Sequence, residues 1–73
     1  MSKPDITMFF PAYNEEENIQ KLLTSAVKVL RQSANNYEIL VIVYAGSTDK
    51  TIAVVKKFKK KNRRIKLLIQ PKD

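Results

Sequence analysis

Asn14-Glu15-Glu16-Glu17-Asn18-Ile19-Gln20-Lys21-Leu22-Leu23-Thr24-Ser25-Ala26-Val27-Lys28-Val29-Leu30-Arg31-Gln32 is the stretch whose reading decides the fold. Ile19, Leu22, Leu23, Ala26, Val27 and Leu30 recur at three- and four-residue intervals, which draws one apolar stripe along a helix running to about Gln32. Asn14 has the form of an N-cap, and Glu17 is spaced to close back on it as in a capping box. The carboxylates of the first turn suit the positive end of the helix dipole.

On the N-terminal side, Ile6 to Phe10 is a β-branched and aromatic run ending at Pro11, which reads as a strand stopped by a residue without an N–H. On the other side, Ser33 to Asn36 is turn material. Tyr37 to Val43 is a near-continuous apolar run, as expected of a strand covered on both faces. Gly46-Ser47-Thr48-Asp49 then reverses the chain, with Ser47 or Thr48 placed to cap a second helix. In that helix Ile52, Val55 and Phe58 form the apolar stripe and lysines the outer face. Asn62 to Arg64 breaks it, and Ile65 to Ile69 returns as a third strand before Pro71.

Strand, helix, strand, helix, strand is two successive crossovers, so the fold class is α/β. The expectation is a two-layer unit with a three-stranded parallel sheet in the order 3-2-1 and right-handed connections. Both helices then cover the same face of the sheet. The apolar character of strands two and three predicts that something else covers the opposite face, either a second copy or the remainder of a larger domain.

Length and composition narrow the chemistry. The chain has 73 residues, enough for a single domain spanning 1–73, which buries roughly 60% of the surface its unfolded form exposes. It contains neither Cys nor His, which excludes thiolate zinc sites, cysteine or serine–histidine hydrolases and imidazole acid–base catalysis. With a single glycine it holds neither the dinucleotide fingerprint nor a phosphate-cradling loop. The longest apolar stretch, Ile39 to Gly46, falls far short of the ~20 residues of a membrane-spanning helix. These features suit a soluble, cytoplasmic protein.

Charge is uneven. Of 14 Lys and Arg against 7 Asp and Glu, ten basic residues and one acidic residue lie from Lys50 to Asp73, whereas Met1 to Asp49 carry four basic and six acidic. Lys56, Lys57, Lys59, Lys60, Lys61, Arg63, Arg64 and Lys66 form a basic segment that fits a solvated helix face or attraction to an anionic membrane surface. It has no interleaved aromatic stacking platform of the kind a nucleic-acid binder would use, since Phe58 is needed for the core.

In open parallel sheets ligands bind beyond the carboxyl ends of the strands, here Pro11 to Glu15 and Tyr44 to Asp49. Three glutamates in a first helical turn repel phosphate, so a nucleotide bound there presents its base or ribose. Phe10-Pro11-Ala12-Tyr13-Asn14-Glu15-Glu16-Glu17-Asn18-Ile19, followed after one helix and one strand by Gly46-Ser47-Thr48-Asp49-Lys50-Thr51, resembles the start of a family-two glycosyltransferase of the GT-A fold. Dolichyl-phosphate sugar synthases and many polysaccharide synthases belong to that family. The likeness covers almost the whole chain and corresponds to the N-terminal third or so of a typical catalytic domain.

The resemblance implies a nucleotide-sugar donor site, with Pro11, Ala12, Tyr13 and Glu15 near the base and ribose and with Tyr44, Ser47 and Asp49 on the strand-two loop. In such enzymes that loop typically reads Asp-Asp-Gly-Ser-Thr-Asp; here Tyr44 and Ala45 stand in the first two places, which implies weakened donor recognition partly offset by aromatic stacking. The family also holds the donor diphosphate on Mg or Mn through an Asp-x-Asp motif, and a later carboxylate deprotonates the acceptor. This chain has no Asp-x-Asp, so no catalytic or metal-binding residue is assigned. It is expected to be a truncated or stand-alone donor-binding part, inactive alone. The competing expectation is a non-catalytic module that kept the scaffold and self-associates through its exposed sheet face.

Overall fold

The computed structural model describes residues 3–45 and 50–71. Five elements follow in order: strand β1 (Asp5–Ala12), helix α1 (Glu16–Ser33), strand β2 (Asn36–Tyr44), helix α2 (Thr51–Lys61) and strand β3 (Ile65–Gln70). The strands form one parallel sheet in the order β1-β2-β3, so the expected α/β class and strand order hold. Met8, Ile39 and Ile65 lie side by side across the sheet, as do Pro11, Ile42 and Leu68.

Alternate residues of the strands face the helices. Ile39, Val41 and Val43 of β2 are fully buried, and with Ala12 and Ile65 they meet Ile19, Leu23, Ala26 and Leu30 of α1 and Val55 of α2. Ile52 and Phe58 complete the stripe of α2 from partly buried positions. The opposite face carries Thr7, Phe9 and Pro11 of β1, Leu40, Ile42 and Tyr44 of β2, and Lys66, Leu68 and Gln70 of β3. No described element covers it: Phe9 is 59% exposed and Leu68 52%.

Several local expectations are corrected. β1 continues through Pro11 to Ala12, because it is an edge strand paired only with β2, where a missing N–H is tolerated. Leu22 was expected in the buried stripe of α1 but is 44% exposed. It projects from the flank opposite Val27, and it is Val27 that lines the groove between the helices. Asn14 is not the N-cap. It adopts φ 51°, a left-handed conformation that asparagine accepts more readily than most residues. Glu15 takes the cap position without a side-chain cap hydrogen bond, so the expected box with Glu17 does not form. Ser47 and Thr48 lie outside the described residues; the N-cap of α2 is Lys50.

At the opposite end of the sheet, Asn62 Nδ2 donates to the Tyr37 hydroxyl (3.1 Å). The Arg64 guanidinium lies 4.8 Å above the Tyr37 ring and donates to Asn36 Oδ1 and, at 3.2 Å, to the Tyr37 carbonyl. These contacts fasten the end of α2 and the start of β3 to the start of β2. The packing predicts that Leu23→Ala, which empties a fully buried site, costs about 2–5 kcal/mol. Leu22→Ala, on the open flank, costs under about 1 kcal/mol. Urea unfolding of the two variants checks the ordering, and equal losses would contradict this assignment of the helix face.

Candidate functional site at the carboxyl ends of the strands

Both crossovers return the chain to the same edge, so the ends of β1 and β2 and the starts of α1 and α2 meet at one end of the molecule. Two long-range hydrogen bonds join the helix starts. The Glu15 N–H donates to Oγ1 of fully buried Thr51 at 2.9 Å, and the Lys50 N–H donates to Glu16 Oε1 at 3.3 Å. The N–H of the N-cap residue Glu15 is thus satisfied by a residue of the other helix. The first turn of α2 has no acidic residue of its own, and Glu16 brings a carboxylate to that positive helix end. The Glu15 carbonyl accepts from the Asn18 and Ile19 N–H groups at 3.0 and 2.7 Å, so the backbone of Glu15 is held on both sides.

Beside this junction lies a depression of ≈ 440 Å³ lined by Pro11, Ala12, Tyr13, Glu15, Ile42, Tyr44 and Gln70. The Tyr13 and Tyr44 ring centroids are 5.5 Å apart at an interplanar angle of 54°, within the range of attractive aromatic pairs. Tyr13 is 54% exposed, leaving much of its surface open to a ligand. Five of the seven residues expected at the site, Pro11, Ala12, Tyr13, Glu15 and Tyr44, therefore come together. The other two, Ser47 and Asp49, lie outside the described residues.

Ile42 and Gln70 were not expected at the site. Ile42 precedes Tyr44 by two residues and so shares its sheet face, while Gln70 is the β3 neighbour of Tyr44. The Ala45 N–H donates to the Gln70 carbonyl at 2.8 Å, which continues the pairing past the end of β2. Two-residue alternation would have found Ile42, but Gln70 required the pairing register.

Chemically the depression offers aromatic faces, one carboxylate and one amide, a set suited to a planar polar ring and its hydroxylated substituent. Among the described residues no three carboxylates converge to hold a metal ion. None of the described helices is long and apolar enough to cross a membrane.

The glycosyl transferase family 2 model matches residues 7–73. An uncharacterized glycosyltransferase of Haemophilus influenzae is 35% identical over 71 residues, covering 97% of this chain and 27% of the relative. A dolichyl-phosphate beta-glucosyltransferase of Trichomonas vaginalis is 37% identical over 75 residues, covering 94% and 23%. An uncharacterized glycosyltransferase of Synechocystis is 34% identical over 64 residues, covering 88% and 20%. The chain belongs to glycosyl transferase family 2, as its two loop motifs imply, and it spans about a quarter of the length of these relatives.

The junction predicts the effect of Thr51→Val. Removing the hydroxyl leaves the Glu15 N–H without its acceptor in a partly buried setting, at a cost of about 1–3 kcal/mol. Native-state hydrogen exchange at the Glu15 amide should speed up together with the fall in stability; unchanged protection there would refute the junction.

Proposed function

We propose that this chain is the donor-facing part of a nucleotide-sugar-dependent glycosyltransferase, holding the base and ribose of a nucleoside diphosphate in the depression at the carboxyl ends of β1 and β2. The observation that carries the reading is the Tyr13–Tyr44 pair beside Glu15 at that strand edge, in a chain of glycosyl transferase family 2. The rings supply faces for the base, Glu15 accepts from a ribose hydroxyl or a base N–H, and the Gln70 amide offers both a donor and an acceptor to a base edge. The glutamates of the first turn of α1 turn the phosphates outward.

Tyr44 and Ala45 stand where the family pattern has a pair of aspartates. Loss of a carboxylate contact costs about 1.5–3 kcal/mol, which stacking of about 0.5–1.5 kcal/mol only partly offsets. Binding is accordingly weak. The sequence has no Asp-x-Asp, and on this reading the chain alone binds donor without transferring sugar.

Titration with uridine and guanosine diphosphates, with and without manganese, tests the reading by chemical shift. One of them should perturb the amides of Tyr13, Glu15 and Tyr44 at millimolar concentration. Tyr13→Ala should weaken that binding by about three- to tenfold, the loss of one stacking contact. Absence of any shift at these residues would remove the donor-site reading.

A second reading, favoured by the open apolar face with Phe9 and Leu68, is a non-catalytic module that self-associates. Light scattering at high concentration should then give about twice the 8.4 kDa chain mass, reverting to the monomer value in Phe9→Lys/Leu68→Lys. A monomer before substitution would dismiss it.

A further inference from the structure

Parallel strands send both helices the same way, so α1 and α2 begin at the depression and finish at the far end of the molecule. Glu15, Glu16 and Glu17 occupy the first end. Lys59, Lys60 and Lys61 in the last turn of α2, Arg63 and Arg64 beyond it, and Arg31 in the last turn of α1 gather at the second. Each helix C-terminus carries roughly half a negative charge, so compensating two helices accounts for about one cation and leaves the rest unexplained. Two carboxylates lie towards this end. Asp5 accepts from Asn35 Nδ2 at 3.3 Å, and Glu38 lies on the uncovered sheet face.

Between the helices runs a groove of ≈ 530 Å³ with Val27, Phe58 and Ile65 along its floor and Lys28, Arg31 and Lys61 at its rim. All three rim cations are exposed. We propose that this basic end, centred on the groove, docks on an anionic lipid bilayer with the donor-end loops directed away from it. The rim cations meet lipid phosphates while their aliphatic stems lie against the interfacial region of the bilayer.

The same features disfavour a nucleic acid. Tyr37, the aromatic residue at this end, has its ring under the Arg64 guanidinium and its hydroxyl engaged by Asn62. Phe58 packs against the core. Neither ring is open to stack on a base.

Sedimentation of the full chain with phosphatidylserine–phosphatidylcholine vesicles, against pure phosphatidylcholine, tests the proposal. Binding is expected only to the anionic vesicles and is expected to fall when salt shortens the Debye length from about 10 Å to about 3 Å. Arg31→Glu/Lys61→Glu should weaken it by at least about 25-fold, taking about fivefold per charge removed. Lys21→Glu/Lys50→Glu has the same net charge but alters residues nearer the other end, and should retain most of the binding. Equal loss in both double variants, equal binding to neutral vesicles, or tighter binding to a short DNA duplex at matched salt would each overturn the proposal. Circular dichroism of both variants verifies that they are folded.

Discussion

Ile39, Val41 and Val43 of β2 have no contact with solvent, and the rest of the fold is arranged around that fact. β2 is flanked on both sides, by β1 and by β3, and its buried row is the surface on which both helices land. A chain this short builds a single core, and the hydrophobic term that stabilises it comes mainly from this one interface. Parallel pairing then dictates the layout. Each strand must be re-entered from the same end, so a helix must carry the chain back across the sheet each time. All strand carboxyl ends and both helix starts consequently share one end of the molecule. The acidic first turn of α1 and the depression lie there, and the lysine-rich close of α2 lies at the other end.

The depression inherits its shape from backbone constraints more than from the residues that would touch a ligand. Asn14 turns the chain through a left-handed conformation, Thr51 holds the Glu15 N–H, and the Ala45 N–H to Gln70 carbonyl bond extends the sheet beneath Tyr44. None of these uses the side chain of Tyr44 or Ala45. Replacing acidic residues at these two places therefore alters the chemistry of the rim and leaves the scaffold standing. This is how a chain with an altered strand-two loop still retains the family's fold.

Element type was legible throughout because it follows from each segment's own periodicity: Ile19, Leu23, Ala26 and Leu30 announce a helix wherever they occur. What escaped the sequence depends on neighbours distant in the chain. The extension of β1 through Pro11 is set by pairing with Ile42, and the exposure of Leu22 follows from α2 packing against the other flank of α1. The acceptor that holds the Glu15 N–H is a hydroxyl 36 residues away. The candidate site divides in the same way. Pro11, Ala12, Tyr13, Glu15 and Tyr44 could be named from strand ends and a motif, whereas Gln70 belongs to the site only through the β2–β3 register.

That register also links the depression to the uncovered face. Pro11 and Ile42 line the depression and, with Leu68, form one row of the exposed sheet surface, next to the row of Phe9 and Leu40. Anything seated over Phe9 and Leu68 stands against the wall of the depression, because successive residues on one face of a strand lie only about 7 Å apart. Covering the face and filling the depression are therefore not independent events. A cover that deepens the depression favours ligand, and ligand must then favour the cover by the same factor, since the coupling free energy between two sites is reciprocal. The row of Pro11, Ile42 and Leu68 is the physical link between the two surfaces.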